Sequence, residues 1–200
     1  MLVSKCMHKN PETISPGETL AEAHHKMTEG AFRRLPVVEE GRLVGIITDR
    51  DIREHVGHLE HTKVNAAMTE KPIVVTPGVP LEDAAQIMVR HKIGGLPVMD
   101  RDAIVGIVSA TDVMRAFVHT MGASIEGTTR IDMVLEGARS DVAGAFEIVE
   151  SKNATILGMG TYMDEWGGSP VFYLRAKTTD PQTLADALKA GGYAILGVHP

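Results

Sequence analysis

Two stretches that end alike decide the fold: Gly45-Ile46-Ile47-Thr48-Asp49-Arg50-Asp51 and Gly106-Ile107-Val108-Ser109-Ala110-Thr111-Asp112. Each is an apolar run of strand character, then a hydroxyl residue, two further residues and an aspartate. They lie 61 residues apart, and the same offset carries Met7 onto Met68, Pro11 onto Pro72 and Pro16-Gly17 onto Pro77-Gly78. Without a gap it also carries Leu20, Ala23 and Met27 onto Leu81, Ala84 and Met88, and Leu35-Pro36-Val37 onto Leu96-Pro97-Val98. A repeated unit sets the architecture before local propensity does. Residues 1–58 and 64–119 are therefore read as two copies of one domain, joined by the short polar stretch 59–63.

Each copy reads the same way locally. A short β-type segment (Thr13-Ile14-Ser15; Val74-Val75-Thr76) meets a Pro-Gly turn, then a helix with apolar residues at positions i, i+3 and i+7. Two strands follow, over 35–38 and 43–47 in the first copy and over 96–99 and 104–108 in the second, and another helix begins at Asp49 or Ala110. A β-α-β-β-α unit this small leaves a sheet face uncovered. Two copies are expected to pack face to face and leave a cleft between them.

The repeated endings admit two readings. In the first, Thr48 and Ser109 cap the helices that follow, and the acid three residues on reaches back to close a capping box. The hydroxyls fit that role well, whereas the box favours Glu or Gln over the shorter Asp51 and Asp112. In the second, the two aspartates accept hydrogen bonds from a ribose diol, while backbone N–H groups and the positive helix end attract phosphate.

The tandem arrangement, the Leu-Pro-Val segments, the methionine near each start and the two hydroxyl-x-x-Asp endings together resemble a pair of CBS domains, a Bateman module, over residues 1–119. The resemblance implies a cleft for adenosine-containing ligands (AMP, ADP, ATP or S-adenosylmethionine), with Asp51 and Asp112 on ribose and Thr48 and Ser109 near phosphate. It also matches Arg33, in Phe32-Arg33-Arg34-Leu35-Pro36-Val37, to an arginine that meets phosphate in the family, with Arg34 beside it. The second copy has Gly94 in that place, so the two half-sites are expected to differ in charge. A solvated strand edge is the competing reading of the two arginines. Adenine recognition, by the same resemblance, falls around Ile14, Val75, Leu35 and Leu96.

After Val118 a small, polar stretch leads to a different pattern. Residues 129–135, 154–162, 171–177 and 193–198 read as strands, and 140–152 and a helix opened by Asp180-Pro181 as helices, the latter with Leu184, Ala187 and Leu188 as its apolar stripe. The order βαββαβ is ferredoxin-like, an α+β domain following the α/β pair. Residues 129–200 resemble an ACT domain, which implies a small ligand or pairing with a second copy. The Gly137-Ala138-Arg139-Ser140-Asp141 loop departs from that family's Asp-x-Pro-Gly pattern. The whole layout is similar to the acetoin-utilisation AcuB family.

Composition bounds the remaining possibilities. A formal net charge of −6 offers no basic footprint for nucleic acid. No apolar run nears the roughly 18 residues of a membrane helix, the start lacks a signal-peptide core, and a cytoplasmic protein is expected. Cys6 is the single cysteine, read as a small buried hydrophobe. His55, His58 and His61 fall off one helix face and lack a completing ligand, so no metal is expected, and His24 and His25 read as helix-surface residues. Nothing matches a nucleophile–base constellation. The expectation is thus a regulatory ligand sensor, not an enzyme, with no required cofactor and a homodimeric assembly. A scaffold or accessory subunit of a metabolic enzyme, its clefts vestigial, is the alternative.

Overall fold

The computed structural model describes residues 1–135, 142–163 and 170–200, and the chain divides into two units, Met1–Met114 and Arg115–Pro200. In the first unit, helix α1 (Leu20–Glu29) buries Leu20, Ala23 and Met27, and helix α3 (Leu81–His91) buries Leu81, Ala84 and Met88, the same three positions in each copy. Between and after them come the hairpins β2 (Arg34–Glu39) with β3 (Arg42–Thr48), and β5 (Gly95–Asp100) with β6 (Ala103–Ser109). Helices α2 (Asp49–Glu54) and α4 (Ala110–Thr120) follow directly.

The strand expected ahead of each first helix is reduced to a single bridge: Ile14 pairs with Val37 and Val75 with Val98, both parallel. The third strand of each sheet comes instead from the other copy. Strand β1 (His8–Lys9) pairs with β6, and β4 (Thr69–Glu70) pairs with β3, giving sheets ordered β1-β6-β5 and β2-β3-β4. This exchange explains two of the repeated residues. A Cβ on Gly45 would lie 2.5 Å from Met68 Sδ, and one on Gly106 would lie 2.6 Å from Met7 Sδ. Each glycine is the seat for a methionine of the opposite copy, so the offset preserves both members.

The exchange reaches further toward each start. The single helical turns at Val3–Lys5 and Val64–Ala66 dock by Val3 N–H donating to Val79 O (2.9 Å) and Val64 N–H donating to Glu18 O (2.9 Å). Both valines are fully buried, and Val64 belongs to the same core as Leu20, Leu35 and Ile47. The segment 59–63 is likewise no loose tether, since Leu20 N–H donates to Thr62 O (2.9 Å) and Ala21 N–H to Leu59 O (3.1 Å). Strands β3 and β6 meet at the junction of the two copies.

The second unit has the order β7 (Thr128–Val134), α5 (Val142–Ser151), β8 (Thr155–Tyr162), β9 (Val171–Lys177), α6 (Pro181–Ala190) and β10 (Ala194–His199). Its antiparallel sheet, ordered β10-β7-β9-β8, is the ferredoxin-like arrangement expected from the element order. Ile131, Met133, Phe172 and Leu174 pack against Ala145, Val149, Leu184 and Leu188. Helix α6 starts as the sequence indicates, with Asp180 accepting from Thr183 N–H and Pro181 in the first turn. Ala185 is fully buried there, and Ala187 only partly, because the helix presents a broader face than a strict i, i+3, i+4 stripe. Alternation along β7 turns Arg130 and Asp132 to the other sheet face. There Arg130 Nε donates to Asp132 Oδ1 (2.7 Å), and its guanidinium carbon stands 4.3 Å from the Tyr173 ring centre. The loop 137–141 lies outside the described residues.

Candidate nucleotide site

The site begins where β3 runs out. Thr48 is extended, at φ −123° and ψ 164°, so it serves as N-cap of α2 and sets the chain turning at the sheet's edge. Thr48 N–H donates to Asp51 Oδ2 (2.8 Å), its hydroxyl donates to the same oxygen (2.7 Å), and Asp51 N–H donates back to Thr48 Oγ1 (3.4 Å). Ser109 and Asp112 repeat the pattern at 2.9, 2.6 and 3.3 Å. The preference of capping boxes for Glu or Gln, which weighed against this role for the two aspartates, is overridden here, and both close the box. The carboxylate needs only to reach the amide and hydroxyl of one residue, and Asp spans that gap as well as Glu22 does on Thr19, where the matching distances are 2.6 and 2.9 Å.

Closing the box does not consume the carboxylate. Both bonds that Asp51 accepts end on Oδ2, and Oδ1 makes none with a described residue. Asp51 is half-buried and borders a cleft of about 560 Å³ together with Thr48, Arg33, Arg34 and Arg50 of the first copy. The opposite wall comes from the second copy. It includes Thr69, Lys71 and Ile73 on and after the exchanged strand, Lys92 and Ile93 past α3, and Gly94, Gly95 and Pro97 at the start of β5. Apolar Ile46, Pro72, Ile73, Ile93 and Pro97 give one part of the lining a surface suited to a flat ring, while the cations and Asp51 supply polar groups.

The residues singled out in the sequence divide cleanly. Thr48, Asp51, Arg33 and Arg34 border the cleft, and Ser109 and Asp112 occupy the corresponding place in the other copy. Ile14, Val75, Leu35 and Leu96 do not line this cleft. Their side chains are buried in the cores of the copies, at 0–5% exposure, because each belongs to the strand face that covers α1 or α3. Ile73, at 38% exposure, does line it. Its counterpart in the first copy is Glu12, and that of Lys71 is Asn10, so a search for residues shared by both copies passes over them.

Arg34 is not a solvated edge residue. Its guanidinium lies over Gly94 and Gly95: a Cβ on Gly94 would come within 2.6 Å of Nη2, and one on Gly95 would meet Nη1. Burial lowers the Arg34 pKa, opposed by Asp49, reinforced by Arg33 and opposed again by Asp112. A cation desolvated in this way favours the arrival of an anion. The histidine run assembles nothing comparable: His55 Nδ1 sits 2.8 Å from Asp51 O, while His58 and His61 are exposed. Among the described residues no three His, Cys, Asp or Glu side chains converge in a metal-holding group.

Residues 3–58 and 64–119 each match the CBS domain family. The chain is a tandem CBS-domain protein. The CBS domain-containing protein YhcV of Bacillus subtilis is 37% identical over 114 residues, covering 56% of this chain and 81% of YhcV. Among solved structures, the CBS domain pair of protein MJ0100 in complex with 5′-methylthioadenosine and S-adenosyl-L-methionine matches at 31% identity and a TM-score of 0.56, over 62% of this chain and 98% of that one. CBSX2 in complex with AMP matches at 27% identity and a TM-score of 0.52, over 58% and 96% of the two chains. An acetoin-utilisation protein, AcuB, from Vibrio cholerae matches at 29% identity and a TM-score of 0.55, over 62% and 95%. None of these likenesses covers two thirds of this chain, so they bear on the CBS pair. No helix among the described residues is long and apolar enough to cross a membrane.

Proposed function

We propose that this tandem CBS-domain protein is a regulatory sensor, binding AMP, ADP, ATP or S-adenosylmethionine between residues 1–58 and 64–119 and signalling through an ACT-like domain at 129–200. The observation that carries the proposal is the open cleft of about 560 Å³ in which Asp51 Oδ1, the Thr48 hydroxyl and several cations meet an apolar wall. That volume lies within the roughly 300–1,000 Å³ of small-molecule sites. Asp51 would take the ribose hydroxyls on Oδ1 while Oδ2 holds its cap, and Arg33 and Arg34 would meet phosphate. The adenosine complexes of MJ0100 and CBSX2 support an adenosine ligand. The ligand acts as a regulator and not as a cofactor of catalysis, and its effect on the C-terminal domain is bounded by its differential affinity for two states of the protein. Edge strands β8 and β10 of the ferredoxin-like sheet suit a homodimer in the cytoplasm.

A second reading has its own observation. Both aspartates are engaged by their own helix starts, as in a pair whose pockets have become structural and whose role is to dock an enzyme of metabolism, in the manner of an acetoin-utilisation accessory protein. Thermal unfolding with AMP, ADP, ATP and S-adenosylmethionine separates the two. At 100 times its Kd, a ligand adds about 2.7 kcal/mol of stability, a rise in Tm of several degrees that Asp51→Ala reduces. Unchanged melts with all four would leave the accessory role.

A further inference from the structure

Resting on the reading of the cleft as an adenosine site, we propose that its two halves take different ligands: a nucleoside di- or triphosphate at Thr48/Asp51, and an adenosine without a phosphate chain at Ser109/Asp112. The duplication supplies an internal control. Groups that address the sugar are kept in both copies, as Thr48 with Asp51 and Ser109 with Asp112. The cations are not. Arg33, Arg34, Arg50, Lys71 and Lys92 all border the first half-site. At the 61-residue offset Arg50, Lys71 and Lys92 are answered by Thr111, Asn10 and Ala31, and none of these carries a charge. Arg33 and Arg34, by contrast, are exchanged with Gly94 and Gly95 of the same lining and so serve both halves, Arg34 within electrostatic reach of Asp112.

The remaining charges of the first half-site do not cancel this excess. Asp49 is paired with Arg53 at 3.4 Å, and that pair is replaced as a unit by Ala110 and Met114. Lys71 and Lys92 belong to the second copy and the three arginines to the first, so the cations stand on two walls of the cleft. Facing cations suit a chain of phosphates better than a single one, which has oxygens for only part of the set. A sulfonium ligand such as S-adenosylmethionine would be repelled from the same place.

Arg34 stands where the two halves meet, so the difference between them rests on Arg50, Lys71 and Lys92. Its guanidinium rests on Gly94 and on Gly95, and Gly95 is its own counterpart. A side chain that reaches across the pseudo-twofold axis occupies the space of its image. Two arginines at positions 34 and 95 would collide and repel, so only one copy can carry it. The half-buried guanidinium, with its lowered pKa, gains a charge partner when phosphate enters the first half-site.

Calorimetric titration of the intact chain with adenosine, 5′-methylthioadenosine, AMP, ADP and ATP, without divalent cations, tests the proposal. The expected result is two classes of site: one whose affinity climbs from AMP to ADP to ATP and weakens steeply with added salt, and one that takes adenosine or 5′-methylthioadenosine with little salt dependence. In Lys71→Gln/Lys92→Gln the ratio of ATP to adenosine affinity falls about tenfold to hundredfold. Both lysines are exposed, and the wild-type salt dependence needs no variant at all. Equal affinities for AMP, ADP and ATP, or two sites with the same ladder, would overturn the division while leaving the sensor reading intact. Absence of binding by every compound would remove both.

Discussion

Replacing Asp51 separates its two roles, because alanine and glutamate affect them differently. Alanine removes the acceptor for the Thr48 amide at 2.8 Å and hydroxyl at 2.7 Å, leaving half of the cap in place. Loss of such a helix cap costs about 1 kcal/mol, within a range of roughly 0.5–2. Asp51→Glu keeps the cap, since Glu22 makes the same pair of bonds to Thr19 at 2.6 and 2.9 Å, and its stability should stay within about 0.5 kcal/mol of the parent. The extra methylene, however, carries the second carboxylate oxygen out of its place at the cleft. A hydrogen bond to a charged group is worth about 1.5–3 kcal/mol, so affinity for an adenosine ligand should fall about tenfold to hundredfold in both variants. Urea unfolding reads the first quantity and calorimetry the second. If Asp51→Glu binds as tightly as the parent, or loses stability in step with Asp51→Ala, the division of labour between Oδ2 and Oδ1 is wrong.

Gly45→Ala puts a Cβ 2.5 Å from Met68 Sδ and 3.0 Å from Thr69 O, and should destabilise the CBS pair by about 1–3 kcal/mol in urea unfolding, with Met68→Ala restoring part of the loss. Because Val64 completes the first copy's core and β1 and β4 are exchanged, residues 1–58 alone should lack dispersed NMR signals and regain them on mixing with residues 64–119. A well-dispersed spectrum of the isolated fragment would contradict the exchange. Glu22 has its pKa lowered by the Thr19 amide and then the Thr19 hydroxyl, so the folded state binds fewer protons than the unfolded one. Its contribution is present above the ordinary value of 4.5 and is lost as pH falls through the depressed folded value, and Glu22→Gln should flatten the stability profile in that window. In the C-terminal unit, Asp132→Ala strands Arg130 between the rings of Tyr162 and Tyr173 and should cost about 2–3 kcal/mol, below the range for a fully buried pair because 26% of the Arg130 side chain is exposed.

The parts of the fold that follow from periodicity were legible in the sequence. Leu20, Ala23 and Met27 with their counterparts marked the buried faces of α1 and α3, and the strand-helix order of the C-terminal unit carried over to the sheet order β10-β7-β9-β8. The exchange of β1 and β4 was not legible. Strands of two residues have no measurable alternation, and the repeated methionines and glycines reveal their meaning only when Met68 is seen against Gly45 and Met7 against Gly106. Of the cleft's lining, Thr48 and Asp51 stand out in the sequence through their duplicated hydroxyl and aspartate. Lys71 and Ile73, which follow the exchanged strand, and Lys92 and Ile93, which follow α3, are present in one copy alone, where neither motif nor repeat could point to them. The side chains of Ile14, Val75, Leu35 and Leu96 are spent on the core, and any contact they make with a ligand falls to the backbone around them, which a sequence does not display. The network of Arg130, Asp132, Tyr162 and Tyr173 joins three strands, and no local spacing announces it.

A crystal structure of the chain grown with saturating ADP tests the central claim most directly. Electron density for the nucleotide between the two CBS domains is expected, with its ribose hydroxyls within hydrogen-bond reach of Asp51 and its phosphates against Arg33, Arg34 and Lys71. A cleft still free of nucleotide at saturation, with Asp51 engaged only by Thr48, would contradict the account.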